Sequence, residues 1–231
     1  MKEKITKADQ SDRTRTALLT SARELFGKQG YVNTSTEEIV RETGVTRGAM
    51  YYHFRSKADL FQAVFIEVEG LMQRTIVQRV IEAEGDTWQR MVLGSRAFFK
   101  LCTKPDIQRI LYVDGPAVLN KDAWQTLGIE GGRNIIRQNL RILMDHGYIE
   151  KQPLEALTHL WSGVYSESAL YIARAEDKEA ALAEAERCVA QLANGLRLQA
   201  QVARSRKRLL REPDDSPRAA LALPAYGGLC V

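Results

Sequence analysis

The chain is predicted to be all-α: an amino-terminal three-helix helix-turn-helix domain joined to a larger helical ligand-binding and dimerisation domain. Three observations predict this. Apolar side chains return at spacings of three and four along almost every segment between Ala17 and Leu196, the period of a helix with one buried face. Starts are signalled by Ser35, Thr46, Ser56, Asp86 or Thr87, and Pro153, and stops by Gly30, Gly44, Gly85 and Gly147. Within Thr34 to Lys57, two short helices are separated by one glycine turn.

Residues 1 to 12, MKEKITKADQSD, read as a flexible arm whose Lys2, Lys4 and Lys7 either reach phosphates or are simply solvated. The first helix is expected from about Asp12 to Lys28, with Ala17, Leu18, Ala22, Leu25 and Phe26 inward, ending at Gly30. Ser35 and Glu38 have the capping-box form, so a second helix starts near Thr36 and turns at Gly44. Thr46 caps a third, whose first turn holds Arg47, Gly48 and Ala49.

Two helices joined so tightly must cross steeply, which frees the second to lie in a DNA major groove. Arg47 offers a bidentate fork to guanine or a grip on phosphate, Thr46 a hydroxyl, and Gly48 close approach. Tyr51, Tyr52 and His53 supply donors of the kind that position a protein on phosphates. Phe54 is packing, and Tyr51 is divided between packing and contact. Ser56 caps the next helix, and its amino end with Lys57 is expected to clamp a phosphate.

That helix should run as a rod to about Ala83, with Leu60, Phe61, Val64, Val68, Leu71, Met72 and Ile76 inward, linking head to body. After Gly85 the stripe Trp88, Met91, Val92, Ser95, Phe98, Phe99, Cys102 continues until Pro105. IQRILYVDGPAVL buries Ile107, Ile110, Leu111 and Tyr112 and is expected to break at Asp114-Gly-Pro. A segment with Trp124 follows, and Gly128 and Gly131-Gly132 suggest a movable lid. Ile135, Ile136, Leu140, Leu143 and Met144 form the helix that Gly147 ends.

Pro153 opens a helix to about Ala175, with Leu157, Leu160, Trp161, Val164, Tyr165, Ser168, Tyr171 and Ile172 on one face and Gly163 and Leu170 opposite, so two partners are expected. The last helix, Asp177 to about Ala203, is rich in alanine. Small side chains permit close approach, so the last two helices should form a homodimer interface. The division expected is thus 1–12 arm, 13–57 DNA-binding domain, 58–203 body, and 204–231 a disordered basic tail, solvated or touching DNA nonspecifically.

The run from Thr16 to Phe65, with G-V-T-x-G-x-x-Y-x-H-F-x-S-K inside it, closely resembles the amino-terminal domain of the TetR family of bacterial transcriptional regulators. VDGPAVL and LWSGVYSESALYIARAED are similar to the carboxyl-terminal domain of one TetR subgroup. The resemblance implies an all-helical homodimer that binds a palindromic DNA operator, usually as a repressor, and lets go when a small molecule enters the body. It also implies DNA contacts from Thr36, Thr46, Arg47, Gly48, Tyr51, Tyr52, His53 and Lys57.

Composition supports that direction. The net charge of +4 is divided unevenly: eleven Lys or Arg against seven Asp or Glu in residues 1–57, sixteen against nineteen in 58–201, and six against three in 202–231. A basic head on an acidic body steers one surface toward phosphates. No run approaches the roughly eighteen to twenty apolar residues of a membrane span, and no signal peptide is visible, so a cytoplasmic protein is expected. The 3 cysteines are odd in number and far apart, which argues against disulfides or zinc; Cys102 and Cys188 read as core. No metal, cofactor or catalytic motif is found, so an enzyme is not expected.

Inward aromatics point to a pocket for an apolar or aromatic small molecule, with Phe98, Phe99, Cys102, Tyr112, Trp124, Trp161, Tyr165 and Glu167 as candidate lining. Asp114, Ser166, His146 and His159 are further polar candidates. The alternative is a DNA-binding protein of the same fold controlled by a protein partner.

Overall fold

A computed structural model describes residues 6–119 and 130–209, without the side chains of 130, 131, 198–200 and 202–209. Those residues are helical apart from turns. The first helix, α1 (Lys7–Asn33), starts earlier than expected. Thr6 and Asp9 form a capping box, each satisfying the other's backbone amide, so the segment from Lys7 is helix rather than arm. Gly30, at φ 83°, kinks α1 without ending it. Leu18, Ala22 and Phe26 face inward as expected, joined by Leu19, while Ala17 is exposed.

Next come α2 (Thr36–Thr43), α3 (Arg47–His53) and the rod α4 (Lys57–Glu82), each capped by the predicted residue: Ser35, Thr46 and Ser56 accept the N3 amides. Ser35 caps alone, because the Glu38 carboxylate turns to the Gln29 amide at 2.8 Å. Gly44 makes the sharp turn at φ 65°. Phe61 meets Phe26 and Tyr31 edge-on at 5.2 Å, contacts worth about 0.5–1.5 kcal/mol each beyond burial.

The body opens with α5 (Thr87–Cys102), started by an Asp86–Gln89 capping box. A short α6 (Pro105–Ile107) leads into a π-helical stretch, Gln108–Asp114, and a last turn α7 (Gly115–Val118). The expected break at Asp114-Gly-Pro is therefore a continuation. Pro116 falls in the first turn of α7, where its missing donor is not needed. Gly115 lies close under Phe65: an added Cβ would stand 2.8 Å from its ring.

After residues 120–129, which include Trp124 and Gly128 and lie outside the described residues, α8 (Glu130–Asp145), α9 (Leu154–Arg174) and α10 (Lys178–Leu209) complete the chain. Gly131 and Gly132 sit inside α8, so the described part of the expected lid is helix. The helix of α10 passes Ala203 to Leu209, and the rest of the expected tail, 210–231, lies outside the described residues.

One apolar core joins head and body. It runs from Leu18, Phe26, Ile39 and Met50 through Phe61, Val64 and Val68 of α4 to Leu101, Ile110, Leu111 and Ala169. The boundary drawn at residue 57 is thus crossed by a continuous cluster. Two further clusters fill the body, around Trp88, Leu143 and Ile149, and around Phe99, Ile172 and Val189. On α9, however, Leu160 and Tyr171 are exposed, as is Leu192 on α10, leaving an apolar face uncovered in the single chain.

Candidate functional site

The geometry of α3 follows from which side chains the core claims. Met50 and Phe54 are buried, holding the short helix on α1 and α4, so the opposite side faces outward. Thr46, Arg47, Gly48, Tyr51 and Tyr52 are all exposed there, Tyr52 by 83%. Nothing stands within 4 Å of where a Gly48 Cβ would be, so the backbone itself can approach a partner. Arg47 lies over the Tyr51 ring at 5.7 Å and pairs with Glu37 of α2 at 3.3 Å. Both partners are well exposed, so the pair is weak and easily exchanged for phosphate or a base edge. Thr36 and His53 are half-buried at the margins of this face.

Lys57 departs from expectation. Its ammonium donates to the backbone carbonyls of Tyr31 at 2.7 Å and Thr34 at 2.8 Å and sits 4.1 Å from the Tyr31 ring centroid. Burial pushes its pKa below the ordinary lysine value, with the Asp114 charge opposing. In place of an open phosphate clamp, the side chain staples the end of α1 and the entry to α2 onto the start of α4. Two of its three donors are spent on carbonyls 26 and 23 residues away, which no local pattern reveals.

The π-helical stretch docks on α1 from the body side. Asp114 accepts the Tyr31 amide at 2.8 Å, just past the Gly30 kink, and Asp106 of α6 meets Arg23 at 2.8 Å. From the same stretch, Leu111 and Tyr112 line a cavity of about 490 Å³ in the body. Asp114, a polar candidate for ligand contact, is therefore a contact to the head.

That cavity lies among α4, α5, α8 and α9. Of the candidates, Phe98, Tyr112 and Tyr165 line it, with Ser166. Phe99 and Trp161 line a smaller neighbouring cavity of about 80 Å³. Tyr165 borders both, its hydroxyl hydrogen-bonded to Ser95 and its pKa raised by burial. Cys102 lines neither. It is buried 3.6 Å from the Tyr112 hydroxyl, and burial pushes its thiol up to about 12, so it is packing. Glu167 points outward from α9. His146 and His159 bond carbonyls of their own helices, and Cys188 is exposed rather than core.

Several lining residues were missed: Glu69 and Gln73 on α4, Arg90 on α5, and Arg133 and Asn139 on α8. Glu69 had a signal, a carboxylate inside the apolar stripe of Phe65, Met72 and Ile76. Its pKa rises to about 7, mainly through burial, while a 3.1 Å hydrogen bond from Gln73 opposes the rise. Among the described residues no cluster of His, Cys, Asp or Glu is arranged to hold a metal, and no helix is long and apolar enough to cross a membrane.

An outward recognition helix on a packed three-helix head, joined by a continuous rod to a hollow helical body, defines a helix-turn-helix DNA-binding regulator. Comparison with known proteins agrees for both parts. Residues 18–64 match the model of bacterial regulatory proteins, tetR family, and residues 88–196 that of the tetracyclin repressor-like carboxyl-terminal domain. A crystal structure of a TetR-family transcriptional regulator from Pectobacterium atrosepticum is similar at TM-score 0.71 and 30% identity, covering 83% of this chain and 97% of that one. The chain belongs to the TetR family of transcriptional regulators.

Among curated relatives, the regulator AcrR of Shigella flexneri is 45% identical over 56 residues, which is 24% of this chain and 26% of that protein. The probable acrEF/envCD operon repressor of Escherichia coli is 30% identical over 115 residues, 47% of this chain and 51% of that protein. The chain thus spans between a quarter and about half the length of these relatives.

Proposed function

We propose that this protein is a cytoplasmic homodimeric repressor, released from a palindromic operator when a small molecule occupies the 490 Å³ body cavity. The observation that carries the reading is that two elements connect the cavity to the head. The stretch Gln108–Asp114 lines the cavity through Leu111 and Tyr112 and holds α1 through Asp114, while α4 lines it through Phe65, Glu69 and Met72 and begins beside α3. A ligand that displaces these side chains shifts the population of head positions.

Arg47, Thr46, Tyr51 and Tyr52, with Gly48 allowing close approach, are proposed to meet the major groove, Thr36 and His53 flanking phosphates. Lys57 is proposed to position this surface. The exposed Leu160, Tyr171 and Leu192 face of α9 and α10 is proposed to pack on its copy, setting two recognition helices one helical turn apart, about 34 Å. A cavity of this size favours small-molecule control over control by a protein partner.

The test is selection of duplexes from a random pool by the purified chain, followed by footprinting of the winners. Two-fold symmetric protection that Arg47→Ala erases and a ligand relieves supports the reading. Asymmetric protection, or a monomer that still selects sequence, removes it.

A further inference from the structure

The polar groups of the body cavity are unevenly matched. Two arginines are among its lining residues, Arg90, which is exposed, and Arg133, which is partly buried, and neither forms an ion pair among the described residues. The Arg133 Nε is shielded from solvent and has no hydrogen-bond acceptor. A buried donor left unpaired costs about 1–3 kcal/mol, so such groups are rare unless something absent from the chain completes them.

One acidic side chain, Glu69, is found among the described lining residues. It accepts a hydrogen bond from Gln73, and its pKa of about 7 leaves it only partly charged near neutrality. Among the described lining residues it therefore only partly offsets the charge of Arg133. The remaining wall is apolar, including Phe65, Met72, Ile76, Val80, Phe98 and Ile136. In such surroundings a charge-assisted bidentate contact is strong and selects a planar anion.

We propose that the cavity takes an amphiphile bearing one carboxylate, its head held by the Arg133 fork and its apolar body lying between α4, α5 and α8. This rests on reading the cavity as the effector site. A cation would have only the shared, half-buried Glu69 to meet. A neutral hydrocarbon would leave Arg133 unpaired.

The experiment compares decanoate, decanol and decylamine, which share a chain and differ in head charge, by calorimetric titration into the full chain. Decanoate should bind more tightly than decanol by about tenfold or more, the return expected of a hydrogen bond to a charged group. Arg133→Gln should abolish that preference; Arg133→Lys should keep part of it. Equal or tighter binding of decanol or decylamine, no binding of decanoate, or a preference that survives Arg133→Gln overturns the proposal. The wild-type comparison decides even if a variant fails to fold. DNA release is measured in parallel. Decanoate that binds without releasing DNA leaves the carboxylate site standing and removes the effector reading. Decanol that releases DNA as well as decanoate does the reverse.

Discussion

Replacing Lys57 with methionine keeps the length and apolar stem of the side chain but removes the ammonium that bonds Tyr31 and Thr34. Thr34 is buried, so its carbonyl loses this donor in a place water reaches poorly. Each hydrogen bond to a charged group contributes about 1.5–3 kcal/mol and the ring contact about 0.5–1 kcal/mol. Against this stands the cost of dehydrating the ammonium, which its lowered pKa reports. The balance is a loss of about 2–4 kcal/mol, far beyond the ±0.5 kcal/mol of an ordinary surface lysine. Urea unfolding measures it, and the salt dependence of DNA binding gives the second readout. As a positioning residue, Lys57 should alter stability and DNA affinity together while leaving the slope of affinity against salt nearly unchanged, since no phosphate contact is removed. A Lys57→Met protein as stable as wild type, whose salt slope has fallen by about one, would refute the staple and restore the phosphate clamp.

Other expectations follow from the same geometry. Arg47→Ala should weaken binding to a selected duplex by about 1–3 kcal/mol and relax its specificity, without changing the melting temperature, because Arg47 is exposed; anisotropy titration checks both claims. Asp114→Ala should cost about 1–3 kcal/mol in unfolding free energy by orphaning the Tyr31 amide, and should shrink the effect of ligand on DNA affinity. Glu69 has a folded pKa raised from 4.5 to about 7, so the folded state holds the extra proton between those values. Stability should then fall as pH rises from about 4.5 to about 7 and level off above, and Glu69→Gln should flatten that stretch of the profile. Tyr112 and Tyr165, which line the same cavity, are pushed up by burial, away from this window.

The head was legible almost residue by residue. Ser35, Thr46 and Ser56 cap their helices as local chemistry requires, and Gly44 takes the turn. Met50 and Phe54 at helical spacing reveal which side of α3 is inward and therefore which is displayed. On α1 the inward place given to Ala17 belongs to Leu19, because both are apolar and period alone does not choose between them. The candidates for the body cavity fared unevenly for a related reason. Aromatic stripes told that Phe98, Phe99, Trp161 and Tyr165 face inward, but not that two cavities divide them, nor that Cys102 is enclosed beside Tyr112.

The sequence by itself determined where α2, α3 and α4 begin, which side of most helices is apolar, and that the second short helix resembles one that reads DNA. These depend on interactions over three or four residues, which a linear pattern records. Only the tertiary structure decided that Lys57 serves carbonyls of another helix, that Asp114 holds α1, and that Glu69 and Arg133 open onto one cavity. Such facts concern groups brought together from distant positions, and an empty space between helices is a property of how faces meet, which no single face encodes.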